Sequence, residues 1–221
     1  MDRSFLRTVA GIVPVVLGLA ACHGSAPMQA SPAPDAGGRR MLSPAEVARA
    51  DSGRPPYTQA DVHFMAGMIG HHAQAVLIAG WAPSHGASPS LQALCARIVV
   101  GQRDEIGLVQ AWLRTRRETV PNADGSGGHQ MAGMDHGMMM PGMLTPEQLA
   151  QLDRARGPEF DRLFLVFMIQ HHQGALTMVD EVMNAKGAAQ DDTVFKFAAD
   201  VSADQSTEIA RMELMLKEIH P

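Results

Sequence analysis

The chain has 221 residues, with 18 basic and 23 acidic side chains and a formal charge of −5. A hydrophobic share of 46% beside 19% charged residues describes a chain that folds around a core rather than staying disordered. The acidic balance and the 5% share of aromatics exclude a nucleic-acid binder built on phosphate contacts or base stacking.

Arg3 and Arg7 precede an apolar stretch from Val9 to Ala21 that is short for a membrane span and has the shape of a secretory signal, residues 1–21. It ends Leu19-Ala20-Ala21-Cys22, which is similar to the lipobox of bacterial lipoproteins. Cys22 is therefore the expected lipidation site. The expected location is the bacterial cell envelope, lipid-anchored and facing the periplasm or the exterior. Residues 22–42, rich in Pro, Ala, Ser and Gly, read as a flexible tether. With Cys22 lipidated, Cys95 has no partner for an intrachain disulfide and is expected to face the core as a small apolar residue.

Helix signals follow, with no sustained apolar/polar alternation of a strand. Ser43-Pro44-Ala45-Glu46 reads as a capping box opening a short helix. Thr58 caps a longer helix to about Gly80, Pro83 to Pro89 is a turn, and Pro89 opens a helix ending near Glu118. Thr145-Pro146-Glu147-Gln148 is another capping box, followed by a break at Gly157-Pro158. A long helix from about Glu159 to Ala185 comes next, and Asp191 or Asp192 caps the last.

The second half repeats the first. Asp61, Phe64, Met68, Ile69, His71, His72 and Ala75 recur 100 positions later as Asp161, Phe164, Met168, Ile169, His171, His172 and Ala175. On the partner helices Gln102, Glu105, Ile106 and Leu113 recur at an offset of 103 as Gln205, Glu208, Ile209 and Leu216. The unit is a helical hairpin used twice, residues 43–120 and 144–221, and two such hairpins bury their apolar faces by forming one all-α four-helix bundle.

On a helical wheel Asp61, Met65, Met68 and His72 share a narrow arc, with His71 just beside it. Gln102, Glu105 and Val109 share one face of the partner helix, as do Gln205, Glu208 and Met212. Polar groups aimed inward need partners. One reading is a satisfied His–Glu network that orders the core of a structural or interaction module. The other is a metal site: imidazole suits Cu, Zn, Fe and Ni, and thioether sulfur shifts the choice toward Cu(I). Met68 stands one turn before His71 and His72, and Glu105 and Glu208 serve as ligands or as groups that orient the imidazoles.

The linker 121–143 strengthens the metal reading. Its glycines and two prolines forbid a regular element, so packing does not account for its methionines. His129, Met131, Met134, His136, Met138, Met139, Met140 and Met143 there suit capture of Cu(I) or Ag(I) by a loop. His63, His85 and His220 read as plain surface histidines. No nucleophile, phosphate-loop or dinucleotide motif is present, nor the Glu-x-x-His of a di-iron bundle, so no catalytic residue is assigned. A metal-dependent oxidase is the second alternative.

The motif Asp-x-x-Phe-x-x-x-Met-Ile-x-His-His-x-x-Ala, followed by a helix with Gln-x-x-Glu-Ile, resembles the domain-of-unknown-function family 305 over about residues 57–218. The resemblance implies a ferritin-like helical bundle, secreted or periplasmic, with an association with copper binding and copper tolerance. Met68, His71, His72, Gln102 and Glu105 match its positions in the first copy. Met168, His171, His172, Met178, Gln205, Glu208 and Met212 match in the second, where the first copy has Ile78 and Val109 in place of the last helix-borne methionines. The expectation is a copper-binding lipoprotein, Cu(I) favoured, that sequesters the ion or passes it to a copper-handling protein.

Overall fold

The computed structural model describes residues 52–123 and 139–219. The signal segment, Cys22, the tether, the helix expected from Ser43, His220 and the linker residues His129, Met131, Met134, His136 and Met138 lie outside the described residues. Among the described residues there are five helices and no strand: α1 Gln59–Ala79, α2 Pro89–Arg116, α3 Pro146–Arg154, α4 Pro158–Asn184 and α5 Asp192–Ile219. None of them is long and apolar enough to cross a membrane.

The boundaries follow local chemistry. Thr58 and Thr145 each close a capping box, with Asp61 and Gln148 answering from the third helical position. Pro occupies the first turn of α2, α3 and α4, where its missing N–H costs nothing. Asp191 caps α5 by accepting the backbone N–H groups of Thr193 at 2.9 Å and Val194 at 3.3 Å. It also takes Trp112 Nε1–H at 3.1 Å and pairs with Arg116, fastening the end of α2 to the start of α5.

α1 packs along α2 and α4 along α5, and the two hairpins meet through α1 against α4. Two apolar clusters result. One joins the C-terminal half of α1 (Ala75, Ile78), the N-terminal half of α2 (Leu91, Leu94, Cys95, Ile98), the N-terminal half of α4 (Phe160, Phe164, Met168) and the end of α5 (Met212, Met215). The other joins the opposite halves, through Phe64, Met65, Met68, Val109, Trp112, Met178, Phe197 and Val201. Complete burial of each large side chain contributes about 1.5–3 kcal/mol. Cys95 is 2% exposed in the first cluster, and burial pushes its thiol up to about 12, with Asp161 adding to the shift.

Between the clusters every long helix carries polar side chains. His71 and His72 on α1, His171 and His172 on α4, Gln102 on α2 and Gln205 on α5 are all buried. The bundle therefore has a polar belt sandwiched between two apolar halves.

The repeated aspartates lie away from this belt and clasp the hairpins together. Asp61 Oδ1 accepts the N–H of Ala189, in the α4–α5 turn, at 2.7 Å, while Oδ2 holds Thr58. Asp161 accepts the N–H of Ser88, in the α1–α2 turn, at 3.2 Å. Each hairpin thus ties the other's turn. Asp61 also sustains Ala189 at a left-handed φ of 54°, a conformation that alanine adopts only at a cost of about 1–2 kcal/mol. Asp61→Ala removes a cap and leaves a buried N–H without a partner. It is expected to lower unfolding free energy by about 2 kcal/mol in urea titrations. A change under about 0.5 kcal/mol, the level of ordinary surface substitutions, would show that the clasp carries no weight.

Candidate metal centre

His71 and His171 come from helices a hundred residues apart and lie ring to ring across the α1–α4 contact, with centroids 3.8 Å apart. His72 and His172 flank them, at 6.3 Å and 6.2 Å from their neighbours. All four rings have no measurable exposure. The wheel places at least one histidine of each pair inward; the fold buries both.

The hydrogen-bond partners decide which nitrogen carries the proton. His71 Nε2 is 3.1 Å from the Pro141 carbonyl oxygen, which can only accept, so Nε2 holds the hydrogen and Nδ1 keeps its lone pair. His172 Nε2 lies 2.6 Å from Glu208 Oε2, a carboxylate oxygen that accepts its hydrogen. His72 Nε2 approaches Glu105 Oε2 at 2.9 Å, but off the line of a hydrogen bond. His171 has no partner on either nitrogen, and Nδ1 is unpartnered in all four histidines. The amide groups of Gln102 and Gln205 are likewise buried without partners. Groups of this kind are normally satisfied in a native interior.

Burial holds His71 down at about 3, with His72 adding to the shift, and His171 lies well below 6.5 for the same reason with His71 next. At the centre of the belt His71 and His171 are therefore neutral imidazoles, the form that binds metals. Because both folded values lie below that of a free imidazole, the unfolded chain takes up protons first. Stability is full above about pH 6.5 and falls as pH drops from there toward 3. His71 alone is expected to cost the metal-free protein about 2 kcal/mol between pH 7 and pH 5, with His171 acting in the same direction. Urea midpoints across that range check this; a flat profile would mean that the rings are not dry.

Around the belt, Met65, Met68, Met168 and Met212 are fully buried and Met178 is 7% exposed. Glu105 and Glu208 are partly exposed, at 21% and 25% of their side chains. Among the described residues no three His, Cys, Asp or Glu side chains converge on one point, so a full ligand set would have to draw on other donors, such as thioether sulfur.

The end of the linker crosses both histidine helices. Gln74 holds Leu144 by two bonds, Nε2–H to its carbonyl at 3.2 Å and Oε1 from its N–H at 2.8 Å. Gln170 Nε2–H reaches the Gly142 carbonyl at 3.3 Å. Gly142, at φ +75°, lies on Gly174 so closely that a Cβ on Gly174 would stand 2.5 Å from Gly142 Cα and nearer still to the Pro141 carbonyl. Of the linker methionines, Met139 is 46% exposed and Met143 5%. Met140 is packed against the second cluster, and its Sδ and the Met178 Cε lie 3.3 Å and 3.1 Å from the point where a Gly67 Cβ would be.

Pro141, Gly142, Gln74 and Gly174 were not singled out by the sequence. Their signal is where the repeat fails: Gln74 stands opposite Gly174 and Gly70 opposite Gln170, and three of these four hold or admit the crossing segment. Two expectations are corrected. Packing does account for two of the linker methionines, since Met140 lies against the second cluster and Met143 is buried where the segment crosses the bundle. His85 is not on the surface but 5% exposed, with Nε2 at 3.0 Å from the Asp153 carbonyl and its ring stacked on Trp81. His63 is half-buried.

The family described as a domain of unknown function, DUF305, matches residues 61–216. Three solved proteins share the fold. A DUF305 protein of Streptomyces coelicolor assigned as secreted has 25% identity and a TM-score of 0.61, covering 72% of this chain and 93% of its own. A DUF305 fragment from Deinococcus radiodurans has 27% identity and a TM-score of 0.61, with coverage of 74% and 99%. CopM in its Cu(II)-bound form has 28% identity and a TM-score of 0.55, with coverage of 72% and 96%. Its Cu(I)- and Ag-bound forms match at TM-scores of 0.56 and 0.54. No curated protein matches in sequence.

Proposed function

The chain belongs to the DUF305 family, and on that premise we propose that it is a copper-binding protein of the bacterial cell envelope, anchored through lipid on Cys22, that sequesters copper or hands it on. One observation carries the reading: four buried imidazoles keep an unpartnered Nδ1 in a layer between two apolar clusters rich in methionine. His71 and His172 are oriented from the far side by a carbonyl and a carboxylate, the arrangement that supports a metal-binding imidazole. His71, His72, His171 and His172 supply nitrogen, and Met65, Met68, Met168, Met178 and Met212 supply sulfur. Glu105 and Glu208 orient or complete the set. Soft sulfur favours Cu(I), with Ag(I) as its analogue. The copper- and silver-bound forms of CopM support this choice of ion. His129, Met131, Met134, His136, Met138 and the exposed Met139 of the linker gather the ion, and no residue is given a catalytic role.

Cu(I) titration against bathocuproine disulfonate tests the reading. The protein is expected to compete for the ion. A variant with leucine at Met131, Met134 and Met138 is expected to keep the tight site and lose only weaker, additional binding. Competition no better than that of a helical bundle poor in methionine would end the proposal.

A further inference from the structure

A cleft of about 270 Å³ lies between α2 and α5 and reaches the belt from outside. Gln102 and Glu208 form part of its lining, with Gly101, Asp204, Thr207 and Arg97. Carboxylates crowd around Asp204 there. Burial holds Asp204 above the usual carboxylate range, and Glu105, Asp200 and Glu208 raise it further against Lys196. Gln102, 4% exposed, lines the cleft with neither amide atom partnered. Glu208 borders the cleft and bonds His172 Nε2, so one side chain touches both the outside and the belt.

We propose that this cleft is the port through which the cation enters and leaves the histidine belt, with Asp204, Glu105 and Glu208 drawing it in and Gln102 Oε1 as the first dehydrated contact. The inference rests on the copper-binding reading. Carboxylates at the mouth of a low-dielectric passage focus the field and raise the rate of exchange, while the affinity of the belt is set by its own ligands. Arg97 at the rim limits the attraction to cations that reach the carboxylates.

Gly101 makes the test clean, because nothing lies within 4 Å of where its Cβ would be. Gly101→Trp can fill the cleft without disturbing the core, and Gly101→Ala leaves it open. Cu(I)-loaded protein is mixed rapidly with excess bathocuproine disulfonate, whose coloured complex reports release, and affinity is measured separately by titration. Gly101→Trp is expected to slow release several-fold with affinity unchanged, and Gly101→Ala to release as the wild type does. Asp204→Asn is expected to slow exchange about three-fold at low salt, the effect fading as salt is added. Wild-type release from both Gly101→Trp and Asp204→Asn, with wild-type affinity, overturns the port and leaves the copper reading standing. Lost affinity in either variant with release unslowed also overturns it, since the cleft would then be a binding site. A wild type that binds no Cu(I) overturns both.

Discussion

His171→Leu is expected to lower Cu(I) affinity at least about 100-fold while leaving the metal-free protein as stable as before, or more so. Loss even of a group that only orients a ligand typically costs 10–100-fold, and His171 lies at the centre of the belt with neither ring nitrogen hydrogen-bonded. Leucine is apolar and of comparable size, so it relieves a buried group with no partner, a change worth about 1–3 kcal/mol in its favour. The two readings of the belt separate here. If the histidines only ordered the core, His171→Leu would shift the thermal midpoint and leave metal content untouched. Competition titration and thermal unfolding on the same variant read both.

Gly174→Ala is expected to destabilise the protein by about 3 kcal/mol. A single methyl there collides with backbone on the crossing segment, Gly142 Cα and the Pro141 carbonyl, rather than with a side chain that could swing aside. Displacing that segment also breaks the Pro141 bond that sets the tautomer of His71, so copper affinity should fall with stability. The thermal midpoint should drop by roughly 6–12 °C for a domain of this size. Gly107→Ala is the control: its Cβ meets nothing within 4 Å, and the same change should stabilise α2 by about 1 kcal/mol. Equal effects at both positions would show that the close approach is not real.

Asp61 illustrates why part of the site was hard to read. On the wheel it shares the arc of Met65, Met68 and His72, as a ligand would. In the fold its two oxygens are spent on Thr58 and on Ala189 of the other hairpin. The position of a side chain on a helix is local. Its partner, 128 residues away, is not. His85 misled for the same reason: the carbonyl that satisfies it, on Asp153, is supplied by α3 after the linker.

The sequence by itself determined the helices, their ends and the repeat. Capping boxes, first-turn prolines and the 3.6-residue period act within one or two turns, so Thr58, Pro89 and Thr145 state their roles without the rest of the chain. It also determined that the His-His pairs and their Gln-x-x-Glu partners belong together, because both recur at fixed offsets. Only the tertiary structure decided that the two copies share a single belt, with His71 against His171 at 3.8 Å, and which nitrogen of His71 and of His172 is bonded. It also decided that the last residues of the linker are pinned across that belt. The physical reason is that a hairpin specifies its own buried face, whereas ring-to-ring contacts and tautomers depend on how two hairpins dock and on donors and acceptors brought from far along the chain.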